Sequence, residues 1–191
     1  MKSLTYSLYS LPNTVFSTKE IALILGEADL NLVKSKISYY VKKGVLIHLR
    51  RGIYAKSSGY EVFEAANKIL TPSYISLETV LQKEGVVFQD YGNVIFVISY
   101  QTREIKLGDY IIRFKKIKNE ILTNPEGIDT ENGYSIATKE RAFMDALYLY
   151  KDYYFDNLDG LDWEKAKRLL LVYSSKTMER RFKNYVRDLQ T

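Results

Sequence analysis

LVKSKISYYVKKGVLIHLRRGIYAK, residues 32–56, holds seven lysines and arginines and not one aspartate or glutamate. Its first half has helical spacing. Together with Leu30, the residues Val33, Ile37, Tyr40 and Val41 recur at three- and four-residue steps and form an apolar stripe over residues 30–43. Asn31, Lys34, Ser35, Ser38 and Lys42 fall on the opposite face. Lys42-Lys43-Gly44 gives a basic last turn and a glycine just past the end. VLIHL and GIYAK then read as two short strands around Arg50-Arg51-Gly52, a hairpin with arginines at its tip.

Upstream, FSTKEIALILG (residues 16–26) carries a helix start. Ser17 can accept from the Glu20 N–H while Glu20 reaches back to the Ser17 N–H, and Phe16 and Ile21 occupy the flanking staple positions. Ile21, Leu23, Ile24 and Leu25 are expected to face inward, with Gly26 ending the helix in left-handed geometry. Two helices joined by the tight turn GEAD, then a hairpin with a basic tip, is the order of a winged helix-turn-helix. A recognition helix needs one apolar stripe to hold it and one small or basic face to enter the major groove. Lys34 and Lys42 suit phosphates, while Asn31, Ser35 and Ser38 are short enough to approach base edges. Arg50 and Arg51 would reach a flanking phosphate or a minor groove. The plain alternative for any one lysine is a solvated face.

The charge is unevenly placed. The total is +5, yet residues 31–60 sum to +7, residues 61–164 to −7 and residues 165–191 to +6. Two basic segments surround an acidic middle, a localised field that points to an anionic partner. If five to seven of the cations in the first segment pair with phosphates, the log–log salt slope of duplex binding is roughly −4 to −6.

The remaining pattern predicts an α+β chain. Ser57-Ser58-Gly59 reads as a hinge, dividing a DNA-binding part (1–58) from a larger mixed α/β part (59–191) with a small antiparallel sheet and C-terminal helices. YEVFEAANKIL and SLETVLQKEG look helical on either side of Thr71-Pro72. VIFVIS (94–99) has the run of a buried strand, and REIKL and YIIRFKKI flank the turn Gly108-Asp109. Three helical segments follow from Ala137. The last two are basic, with Leu169, Leu170, Val172, Tyr173, Met178, Phe182, Tyr185, Val186 and Leu189 as core stripes. Lys165, Lys167, Arg168, Arg180, Arg181, Lys183 and Arg187 are expected to remain outside, as a solvated face, a second DNA contact or a docking surface for an acidic partner.

Chemistry is sparse. With no cysteine and a single histidine, His48, disulfides, thiol nucleophiles, most metal sites and Ser-His schemes are excluded. Asp90 with Glu104-Ile105-Lys106 resembles the D…ExK pattern of Mg²⁺-dependent nucleases, a loose spacing that strand and turn positions explain as well. The expectation is no catalytic residue, cofactor or metal. MKSLTYSLYSLPN has no sustained apolar run, so neither a signal peptide nor a membrane span is expected, and the chain reads as cytoplasmic.

FSTKEIALILG, the basic helix and KKGVLIHLRRGIYAK resemble the N-terminal winged-helix domain of AbiEi-type antitoxins, found in type IV toxin–antitoxin systems linked to abortive infection. PSYISLETVLQKEGV and above all YSIATKERAFMDALYLY are similar to that family's C-terminal domain, where an A-T-x-E-R-A-x-x-D-A-L stretch recurs. Lys139 stands where the family often has proline. The resemblance implies a transcriptional autorepressor that binds operator repeats as double-stranded DNA and counters a cognate nucleotidyltransferase-like toxin. Because operators in general are two-fold or repeated, two copies per site are expected, although no dimer element is visible in the sequence. Two rivals to that implication are a ligand-sensing winged-helix regulator without a toxin and the Mg²⁺-dependent nuclease. Within the telling stretch Thr138 reads as a helix cap, and Glu140, Arg141 and Asp145 as a structural ion-pair cluster.

Overall fold

The structure, a computed structural model, describes residues 4–188. The chain opens with α1 (Leu4–Tyr9), β1 (Val15–Ser17), α2 (Thr18–Leu25), α3 (Leu30–Lys42), β2 (Ile47–Arg50) and β3 (Ile53–Ala55). There follow α4 (Val62–Ile69), β4 (Ser73–Ile75), α5 (Glu78–Lys83), β5 (Val94–Ser99), and the hairpin β6 (Arg103–Leu107) and β7 (Tyr110–Lys116). Then come α6 (Asn119–Leu122), β8 (Ile128–Glu131), β9 (Tyr134–Ala137) and the helices α7 (Lys139–Leu149), α8 (Trp163–Tyr173) and α9 (Lys176–Asp188).

The helix start read at Ser17 forms in full. The Glu20 N–H donates to the Ser17 hydroxyl at 3.2 Å, and the Ser17 N–H donates to the Glu20 carboxylate at 2.7 Å. Such a cap contributes about 1 kcal/mol. Gly26 closes the helix at φ +60°, where a side chain would be strained. Phe16 and Ile21 join Leu4, Leu8, Val33, Ile37 and Leu46 in a small N-terminal core. Two inward expectations fail. Leu23 is 81% and Leu30 is 53% exposed. Leu23 lies on the side of α2 away from Ile21, and Leu30, although in phase with Val33 and Ile37, stays open to solvent in the first turn of α3.

A three-stranded antiparallel sheet in the order β1-β3-β2 packs beside these helices. Its first strand was not legible in the sequence, because Val15–Ser17 is three residues long and doubles as the entry to α2. The chain is thus mixed α and β, with a small antiparallel sheet and C-terminal helices. The expected position of that sheet needs correction: it lies near the N-terminus, whereas the rest of the chain is built on six strands in the order β6-β7-β5-β4-β9-β8. Two of those pairings, β5 with β7 and β4 with β9, are parallel. The apolar run of β5 is explained by this position, since Ile95, Phe96, Val97 and Ile98 are all buried between neighbours.

The telling stretch from Tyr134 to Leu149 spans β9 and α7. Thr138 caps α7 by accepting from the Arg141 N–H at 3.3 Å. Ala142, Phe143, Ala146 and Leu147 are buried, as their spacing predicts. Arg141 and Asp145 pair at 3.4 Å with no exposure of either side chain. Glu140 leaves that pair and turns to Lys165 at 3.0 Å. The Arg141 guanidinium lies between the rings of Tyr74 and Tyr173, each 5.4 Å away, and donates to the carbonyls of Ile121 (2.7 Å) and Glu126 (2.6 Å). Gly127 permits this approach: at φ +73°, a Cβ there would stand 2.9 Å from the Arg141 Cβ.

Candidate nucleic-acid interface

The outward face of α3 is set by the burial of its other side. Val33 and Ile37 are sealed in the N-terminal core, with Tyr40 and Val41 packed against it. At about 100° per residue, Asn31, Ser35, Ser38 and Lys42 then lie within about 60° of one another on the far side, with Lys34 on one flank. All five are exposed. Asp29 starts the helix by accepting from the Asn31 N–H at 2.8 Å, which orients the first turn. Leu32 and Tyr39, on the other flank, are also exposed. They were not singled out in the sequence; falling outside the stripe was their only signal, and such apolar groups suit thymine methyls or sugar edges.

The hairpin places Arg50 as the last residue of β2, half-buried, and Arg51 in the following turn, exposed. The turn does not project far. Its Gly52 carbonyl accepts from the Thr18 N–H at 2.9 Å, so the tip is fastened to the start of α2. Gly52 has φ +80°, and no other residue type takes that conformation so readily. Arg51 is therefore held in a fixed relation to the helix pair. The single histidine, His48, is exposed in β2 with its ring 5.4 Å from that of Tyr54, a packing role.

Not all seven cations of the opening stretch are available. Lys36 pairs with Glu27 at 3.0 Å, and this lysine beside it holds the Glu27 carboxyl below its ordinary range. Lys56 donates to the Leu11 carbonyl at 2.7 Å. Lys34, Lys42, Lys43, Arg50 and Arg51 remain, with no carboxylate in a salt bridge to any of them among the described residues. Chemically, these cations can neutralise phosphates, and the α3 face presents amide and hydroxyl groups beside Lys34 and Lys42.

The surface is braced against the rest of the chain. Glu20, the capping residue of α2, contacts Lys68 on α4, and Lys68 stands 3.6 Å from Glu64 on the same helix. Burial works to raise the Glu20 carboxyl, but the bonds from Lys68 and Ser17 outweigh it and leave the group below its ordinary value. Glu64 is fully buried and accepts from the Asn13 side chain, the Thr14 N–H and hydroxyl, and the Val15 N–H, at 2.8–3.1 Å.

The nuclease-like residues do not converge. Asp90 accepts from the Gly92 N–H at 2.8 Å in the turn before β5, whereas Glu104 pairs with Arg113 across β6 and β7 at 3.0 Å. Among the described residues no group of three His, Asp or Glu could hold a metal ion, and no helix is long and apolar enough to cross a membrane.

Two of the cations expected on the C-terminal surface have partners within the fold. Lys165 pairs with Glu140, and Arg181 turns inward to donate to the Leu147 and Tyr150 carbonyls at 2.8 and 2.9 Å, closing the end of α7. Leu189, placed in a core stripe by its spacing, lies outside the described residues. No protein-family model matches the chain, and no curated protein matches it.

Proposed function

We propose that the chain is a sequence-specific DNA-binding autorepressor that serves as the antitoxin of a type IV toxin–antitoxin pair. In this reading residues 1–58 are a winged helix-turn-helix in which α3 enters the major groove and the β2–β3 turn meets a flanking phosphate. Residues 59–191 form the partner-facing domain, opposed to a cognate nucleotidyltransferase-like toxin, and neither part performs catalysis. The protein acts in the cytoplasm on double-stranded operator DNA, two copies to a site.

One observation carries the DNA reading: the exposed face of α3 offers Asn31, Lys34, Ser35, Ser38 and Lys42 together, with no acid on that face. A carboxylate there would repel phosphate, and its absence is what a polyanion-binding surface requires. The antitoxin assignment rests on the likeness of YSIATKERAFMDALYLY to the AbiEi-type pattern.

Fluorescence anisotropy with a duplex from the region upstream of the chain's own gene tests the first part. With four or five cations engaged, the log–log salt slope is expected near −4. Lys34→Ala should weaken binding to every duplex and make the slope shallower by about one, while Asn31→Ala or Ser35→Ala should change the preference for operator over scrambled sequence by about tenfold. Equal affinity of wild type and Lys34→Ala at low and moderate salt would count against the assignment. Co-expression with the neighbouring gene tests the second part: rescue of growth from a nucleotidyltransferase-like product is expected.

A further inference from the structure

The groove between α8 and α9 has a composition that DNA binding through α3 leaves unused. It encloses about 500 Å³, floored by Trp163, Leu170, Phe182 and Val186 and rimmed by Lys167, Lys183 and Arg187, with Glu164 as the one acidic lining residue among the described residues. Trp163, Lys167 and Leu170 follow i, i+4, i+7 spacing along α8, and Phe182 and Val186 are one turn apart on α9. The apolar floor therefore runs lengthwise between two helices, the shape that takes a third helix laid along it. Phe182 is buried, but Trp163, Leu170 and Val186 keep part of their surface open.

Charge decides what kind of helix fits. Lys167 and Lys183 are exposed, and among the described residues no carboxylate forms a salt bridge with either. The segment that holds them carries a net +6 while the preceding hundred residues are acidic. Duplex DNA would satisfy the cations and leave an aromatic and aliphatic floor facing water, because its outer surface is phosphate and sugar. An acidic amphipathic helix satisfies both at once, burying its apolar stripe on the floor and setting carboxylates against the rim. We infer that the α8–α9 groove docks an acidic amphipathic helix of a partner protein. The inference does not depend on DNA binding at α3.

Trp163 is the only tryptophan in the chain and lines the groove, so its emission reports occupancy directly. The probe is a synthetic peptide of about 18 residues, five helical turns, with Leu and Phe at i, i+3, i+4 and i+7 and Glu on the flanks. Titrated into the full chain, it should shift Trp163 emission saturably. A peptide with every Glu replaced by Lys should bind at least about tenfold more weakly at low salt, and one with its Leu and Phe replaced by Ser should not bind. Lys167→Glu combined with Lys183→Glu changes two exposed side chains and should reverse the preference between acidic and basic peptides. Equal binding of the acidic and basic peptides, or no change in Trp163 emission with either, overturns the proposal. So does a double variant that loses affinity for duplex DNA while binding both peptides as wild type does. Concentration-dependent dimers in light scattering that vanish in the double variant would assign the groove to a second copy and also overturn it.

Discussion

Asp145→Ala is expected to lower stability by about 3–5 kcal/mol at neutral pH, the range for removing one partner of a buried ion pair. The carboxylate accepts from the Tyr74 (3.1 Å), Ser76 (2.8 Å) and Tyr173 (2.6 Å) hydroxyls as well as facing Arg141. Its loss strands three buried donors and a guanidinium that cannot shed its proton. Arg141→Met should behave differently, because the group it strands is able to neutralise itself. Burial already raises the Asp145 carboxyl above its ordinary value, and Arg141 is the largest influence holding it down. Without Arg141 the folded value climbs further, so the folded state holds a proton that the unfolded state releases. A raised value stabilises below the unfolded pKa and loses that contribution as pH rises through the folded one. The deficit of Arg141→Met relative to wild type should accordingly shrink between pH 7 and pH 5, while that of Asp145→Ala does not follow it. Urea midpoints for both variants at the two pH values measure this, and a constant or growing Arg141→Met deficit at pH 5 contradicts it.

The parts of the chain that spelled themselves out are those whose cause is local. The Ser17 cap, the glycines ending α2 and α3, the Gly108-Asp109 turn and the cap at Thr138 each depend on neighbours within four residues, and all form as read. The six-stranded sheet was not legible, because its order is a matter of distant pairing. β5 bonds β7 in parallel and not the intervening β6, and β4, three residues long, is central only because β5 and β9 flank it. The candidate site divides the same way. Helical phase located Asn31, Lys34, Ser35, Ser38 and Lys42 on one exposed face, yet nothing near Lys56 or Arg181 in sequence announces the Leu11 carbonyl or the end of α7 that occupies each. Counting cations overstates the free charge for that reason. Five of the seven in the opening stretch remain unspent, and the expected salt slope falls accordingly.

Glu64→Ala is expected to cost a similar amount, about 3–5 kcal/mol, and to act on one boundary in particular. The carboxylate sits on α4, but its partners are Asn13, Thr14 and Val15, the residues that lead into β1 and so into α2. Thr14 then accepts from the Glu61 N–H at 2.8 Å, closing the loop back to the start of α4. The turn between β8 and β9 covers the group from above: a Cβ on Gly133, at φ +85°, would stand 3.0 Å from the Glu64 carboxylate. No water can replace four bonds in so closed a place, and alanine leaves two backbone N–H groups unsatisfied. Glu64→Gln keeps the volume but offers one acceptor oxygen and an amide that faces donors, so it should recover only part of the loss. Amide hydrogen exchange separates this from general weakening. Protection of Thr14 and Val15 should drop by more than the global loss accounts for, while amides in β5 fall only as far as global stability does. Because β1 carries the cap of α2, loosening it also frees the helix pair, and under the proposed function duplex affinity should fall although no side chain on the exposed face of α3 has changed. Unaltered exchange at residues 14 and 15 in a folded Glu64→Ala protein would show that the brace between α4 and β1 lies elsewhere.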